Sequence, residues 1–153
     1  MKKFKRLLIC TLLLSAFACS KNDEIFFSAN DEIVFQAEYL NYAWGKQHRG
    51  FYITANGTKY SYDNPGSWIF PEESFISTED FMTNLSVCTA AGNVDLSKLN
   101  RMKTLVLSVD EKQLTKAKNE MYDAGSESYS FYVKDAAKGV YRQITLLNRG
   151  DWY

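Results

Sequence analysis

Proline is scarce in this 153-residue chain, with two residues, and histidine scarcer still, with one. Three cysteines, eight glycines and a formal net charge of zero are the other low counts. So little proline and glycine excludes a collagen-like or low-complexity chain. The lone histidine, His48, cannot build a histidine-rich zinc site, and Cys88 does not rescue one. EF-hand spacing, a glycine-rich phosphate loop, a dinucleotide fingerprint and a Gly-x-Ser-x-Gly nucleophile elbow are all missing from the sequence. The expectation is no cofactor and no metal. No internal repeat at the roughly 20 to 50 residue spacing of solenoids and propellers is visible either.

Long apolar runs are lacking too. The longest, Leu7 to Ala18, is broken only by Thr11 and Ser15. As a helix it would reach about 18 Å at ~1.5 Å per residue. A bilayer core is ~30 Å thick, so the run is too short to span it. Lys2, Lys3, Lys5 and Arg6 precede it, and no acidic residue occurs before Cys19. A basic start followed by a short apolar run is the pattern of a secretory signal. The junction Ala16-Phe17-Ala18-Cys19-Ser20 resembles the lipobox of bacterial lipoproteins, with small Ala18 in place and Ala16 where leucine is usual. Ser20-Lys21-Asn22-Asp23-Glu24 resembles the lysine-and-acid tag of Bacteroidota lipoproteins, where it accompanies export to the cell surface. This resemblance implies a signal peptide over 1–18, lipid attachment at Cys19 and a lipidated tether over 19–30. It also implies an outer-membrane, cell-surface location. Acyl chains plus diglyceride exceed the single chain that anchors only marginally.

Loss of the leader removes four of the eighteen basic residues and none of the eighteen acidic ones, leaving a net of −4. A mildly acidic domain lacks the basic face that nucleic acid requires. It also lacks a polybasic patch for an anionic membrane surface. With Cys10 in the leader and Cys19 lipidated, Cys88 stands alone, so no intramolecular disulfide is expected.

The remainder, 31–153, reads as one domain. Ile33, Phe35, Ala37 and Tyr39 alternate with Gln36 and Glu38, the pattern of a half-buried strand. Asn41 to Gly50 reads as a connection or a distorted strand end. Asn56-Gly57 between Phe51–Ala55 and Thr58–Tyr62 predicts a two-residue hairpin loop. That register sets Ile53 opposite Tyr60 and Phe51 opposite Tyr62, and turns Tyr52 to the other face. Ser77-Thr78-Glu79-Asp80 is a capping box, followed by Phe81, Leu85 and Cys88 at helical spacing, with Gly92 as the closing residue. Leu96, Leu99, Met102 and Val106 fit a helix, although Leu105-Val106-Leu107 also fits a strand. A further helix over Asp110–Asp123 would point Leu114, Ala117 and Met121 inward. A last hairpin through Ala136–Gly139 sets Phe131 opposite Ile144 and Tyr129 opposite Leu146. The expected fold class is α+β: an antiparallel sheet built from N- and C-terminal hairpins, with two or three central helices packed on one face.

Chemistry is thin in this pattern. Cys88 lies on an apolar stripe and reads as a core residue rather than a nucleophile. His48, between Gln47 and Arg49, reads as a surface histidine or a ligand contact. The surplus is aromatic, 23 residues including ten tyrosines. Tyrosine and tryptophan offer stacking surface with a polar handle, and they are also ordinary strand residues. Tyr42, Trp44, His48 and Tyr52 are the candidate ligand-binding residues, Tyr52 as the outward-facing one and Tyr62 as core. Asn56 and Asn84 head glycosylation sequons, which carry little weight in a bacterial lipoprotein.

Asn41-Tyr42-Ala43-Trp44-Gly45, His48-Arg49-Gly50-Phe51 and Gly150-Asp151-Trp152 together resemble small uncharacterised lipoproteins of gut and environmental Bacteroidota. The resemblance implies an anchored globular domain and carries over no catalytic residue. The leading expectation is a non-enzymatic binding or interaction module with an extracellular glycan or protein partner. Alternatives are a small envelope hydrolase with a site near His48, and an inhibitor or immunity-type protein.

Overall fold

A computed structural model describes residues 32–43, 45–111, 114 and 125–150. The leader, the tether, Trp44 and most of the expected helix over Asp110–Asp123 lie outside the described residues. The elements are β1 (Ile33–Asn41), β2 (Gln47–Ile53), β3 (Thr58–Asp63), β4 (Phe75–Ser77), α1 (Thr78–Ser86), β5 (Thr89–Asn93), α2 (Leu96–Leu107), β6 (Ser126–Asp135) and β7 (Val140–Gly150). The seven strands form one antiparallel sheet in the order β4-β7-β6-β1-β2-β3-β5.

The α+β class is as expected, but the two hairpins are not the whole sheet. Strands β4 and β5 come from the middle of the chain and close opposite edges. The helices also lie on opposite faces rather than on one. Phe81 of α1 packs with Val34, Tyr52, Tyr62, Tyr132 and Tyr141. Leu99 and Val106 of α2 pack with the alternate residues Ile33, Phe35, Phe131 and Val133. Side chains alternate across a strand, so these two clusters lie on opposite faces. Strand β1 is therefore buried on both faces along Ile33–Gln36 and is not the half-buried strand that its alternation suggests.

The β2–β3 turn explains a second difference. The Thr54 carbonyl accepts the Gly57 N–H at 2.8 Å, and Thr54 N–H donates to the Thr58 carbonyl at 3.0 Å. Gly57 has φ +88°, while Asn56 stays outside the left-handed region. The loop is thus a three-residue turn closed by a left-handed glycine, not the two-residue Asn-Gly loop. One extra residue slips the register: Ile53 faces Lys59, Tyr52 faces Tyr60, and Gly50 faces Tyr62. A slip of one transfers a strand's side chains to the opposite face relative to its partner. Tyr52 consequently joins Tyr60 and Tyr62 over α1 and is buried.

Elsewhere the local signals agree with the structure in part. Ser77 caps α1, its hydroxyl oxygen accepting the Asp80 N–H at 3.0 Å and its O–H donating to the Asp80 carboxylate at 2.7 Å. The helix ends at Ser86 with Val87 as its cap, so Gly92, at φ +106°, belongs to β5 and not to the helix end. Leu105–Leu107 is helical, within α2, whose first turn is capped by the Asp95 carboxylate. In the β6–β7 hairpin Phe131 faces Ile144 as expected, but a bulge sets Tyr129 opposite Leu147 rather than Leu146.

Candidate functional site

Two polar features cross the centre of this sheet, one on each face. On the α1 face a buried hydrogen-bond chain runs over five strands. Gln143 of β7 donates to the Tyr132 hydroxyl at 2.9 Å, and Tyr132 donates to Gln36 Oε1 at 2.8 Å. Gln36 Nε2 donates to the Tyr62 hydroxyl at 2.9 Å, and Tyr62 points its O–H toward Glu38 Oε1 at 3.4 Å. His48 Nε2 meets the same Glu38 oxygen at 2.8 Å. Burial demands such pairing, because an unsatisfied polar group in the interior costs about 1–3 kcal/mol.

His48 is therefore not the surface residue its polar neighbours suggest. It is 0% exposed. The Trp68, Tyr62 and Phe70 rings surround it with centroids at 4.8, 5.0 and 5.4 Å. The segment carrying Trp68 and Phe70 is strapped across the α1 face by Asn84. That side chain accepts the Ile69 N–H at 2.9 Å and donates to the Ile69 carbonyl at 2.6 Å. Asn84 is consequently a buried clamp, closed to glycosylation in the folded chain. Nδ1 of His48 has no hydrogen-bond partner among the described residues. Burial, and then the nearby Glu38 carboxylate, push Tyr62 well above the usual tyrosine range. Burial also pushes the half-buried Cys88 thiol up to about 11.

The opposite face is organised in rows by the strand register. One row is Phe131, Phe35, Ile53 and Lys59. The next is Tyr129, Ala37, Phe51 and Ser61, and the third is Glu127, Tyr39, Arg49 and Asp63. Small Ala37 between Tyr129 and Phe51 leaves a hollow in the middle row. Beyond it opens a cavity of about 480 Å³ lined by Tyr39, Arg49, Asp63, Glu127 and Tyr129. The Arg49 guanidinium lies 4.2 Å over the Tyr39 ring. Tyr129 donates to the Glu127 carboxylate at 2.5 Å. Glu38 borders this cavity, with its side chain 14% exposed, so it links the two faces, while His48 lies behind it.

Of the residues singled out from sequence, Tyr42 is exposed, His48 and Tyr52 are core, and Trp44 is outside the described residues. They do not form one exposed aromatic patch. Sequence reading missed Arg49, Asp63, Glu127 and Tyr129 as a group. The available signal was the period-two alternation of β1 and β6, which places Tyr39 and Tyr129 on one face. No protein-family model, no curated protein and no solved structure matches this chain. The site must then be read from its own chemistry. Among the described residues no three of His, Cys, Asp and Glu are grouped to hold a metal ion. The open cavity offers an arginine donor, carboxylate acceptors and a tyrosine ring, which together suit a neutral, polyhydroxylated ligand better than a simple ion.

Proposed function

We propose that this chain is a lipoprotein exported through its leader and held to the outer membrane by acyl groups on Cys19. It displays a non-enzymatic binding domain at the cell surface, and its partner is an extracellular glycan. The observation that carries the binding role is the open cavity beside Tyr129, where donors, acceptors and an aromatic ring converge. That combination is what a recognition pocket of this size supplies. Small concave size and mixed-sign lining favour a glycan over a broad protein interface.

Two measurements test this. A C-terminally tagged chain in a Bacteroidota host should lose its signal when intact cells meet proteinase K, with a periplasmic control untouched. Cys19→Ala should leave the outer-membrane fraction; retention there would defeat the anchor. On a glycan array the chain should bind specific glycans, and Tyr129→Ala should weaken them at least tenfold. Capture of a protein partner with no glycan bound would transfer the reading to a protein-binding or inhibitor role.

A hydrolase is the second reading, favoured by the 2.8 Å contact between His48 and Glu38. In that reading Glu38 alone reaches the cavity, and His48 orients it. Glycoside and ester substrates should then turn over, and Glu38→Gln should abolish turnover without loss of fold.

A further inference from the structure

The apolar part of the α2 face continues the candidate site. A second hollow of about 280 Å³ lies between the sheet and α2. Phe35 and Ile53 are on its floor, and Met102, Leu105 and Leu146 are on its walls. Ala37, Phe51 and Tyr129 border both hollows, so the two adjoin across the small Ala37, and together they are taken as one groove. One end is apolar. The other carries Arg49 as a donor, with Asp63 and Glu127 as acceptors. Lys59 lies 4.2 Å over the Phe51 ring near the junction. Both signs of charge therefore flank the groove. A neutral head with hydroxyls complements this rim, because each hydroxyl both donates and accepts. A fully ionic head of either sign would meet one matched and one opposed neighbour.

We infer that the groove binds a single-chain glycolipid, with the sugar among Tyr39, Arg49, Glu127 and Tyr129 and the alkyl chain beneath Leu105 of α2. The apolar hollow, at about 280 Å³ and lined by Phe35, Ile53, Met102 and Leu146, is large enough for a stretch of alkyl chain. This rests on the glycan-binding reading and adds to it that the glycan is acylated. Leu105 is 60% exposed, and in this reading the alkyl chain covers it.

The test is calorimetric titration of the full chain carrying Cys19→Ser, free of detergent, with dodecyl maltoside below its micelle threshold. Maltose alone and dodecylphosphocholine serve as comparators. The inference expects one saturable site per chain for dodecyl maltoside, at least tenfold tighter than for either comparator. Leu105→Arg, an exposed position whose substitution keeps the fold, should weaken it at least tenfold at an unchanged melting temperature. Equal affinity for maltose would overturn the acyl claim while leaving a glycan site. Equal affinity for dodecylphosphocholine would overturn the sugar head. No uptake, or uptake unaffected by Leu105→Arg, would overturn the groove as a ligand site, because another occupant or none fills it.

Discussion

Gly50 shows how one side chain, or the lack of one, shapes this molecule. It faces Tyr62 across β2 and β3. A Cβ at that position would meet the Ala37 carbonyl oxygen at 2.2 Å and the Tyr62 hydroxyl at 2.6 Å. The missing side chain lets the Tyr62 hydroxyl sit over β2, where Gln36 and Glu38 meet it. Gly50→Ala should therefore destabilise the fold by about 2–3 kcal/mol, the usual scale for forcing atoms into a packed interior. Urea unfolding measures this directly, and a change below about 0.5 kcal/mol would show that the Ala37 backbone and Tyr62 both move aside freely. Ala37 acts in the opposite sense on the other face. Its small size opens the hollow, and a larger residue there would close the groove between Tyr129 and Phe51.

Among the elements, α1 shows how a local signal and a long-range contact combine. Its N-terminus is secured by Ser77, and its buried face is anchored by Phe81, whose ring lies 4.3 Å from Tyr141 and 5.3 Å from Tyr52. The helix is only nine residues long, too short to persist without such packing. Ser77→Ala removes an acceptor for the Asp80 N–H and should cost about 1 kcal/mol. A thermal melt should record the loss, and Ser77→Thr, which restores a hydroxyl that both accepts from the Asp80 N–H and donates to its carboxylate, should recover most of it. At the far side of the sheet, α2 is tied by Lys103, whose ammonium donates to the Ala55 carbonyl at 3.3 Å. Just beyond it, Arg142 of β7 holds Glu111 through two hydrogen bonds of 2.9 and 2.6 Å.

For the molecule as a whole, the buried tyrosines set a pH limit. Tyr52, Tyr62, Tyr132 and Tyr141 are all held above the ordinary tyrosine value, with burial as the largest cause in each. Glu38 adds to this for Tyr62 and Tyr132, and the Glu32 carboxylate adds to it for Tyr141. An unfolded chain ionises its tyrosines near ~10. Folded values above that mean the contribution is complete below about pH 10 and declines as pH rises beyond it. Each tyrosine still neutral in the fold then removes up to about 1.4 kcal/mol per pH unit. Urea midpoints should be flat from about pH 8 to 10 and fall above it, and Tyr132→Phe should make the fall shallower. A flat midpoint through pH ~11.5 would mean that these hydroxyls are not held neutral.

Leu105–Leu107 fitted helix and strand alike in the sequence, but the α+β class, the capped start of α1 and the Phe131–Ile144 pairing were legible there. Each rests on interactions within a few residues, where caps, periodicity and loop length act alone. The faces of the strands were not. Asn56-Gly57 marks a turn in either geometry, and only the closed structure selects the three-residue loop that buries Tyr52. His48 is flanked by Gln47 and Arg49 and looks solvated in the sequence. Trp68 and Phe70 cover it only because Asn84 straps a distant segment over β2. The groove follows the same logic: Glu127, Tyr39, Arg49 and Asp63 come from four strands, and only their register sets them side by side. Local chemistry thus determined the start of α1 and the two hairpins, but not the edge strands β4 and β5, which form by pairing with β7 and β3. Burial of the sheet on both faces, which depends on contacts far apart in the chain, decided which side chains became core and which became site.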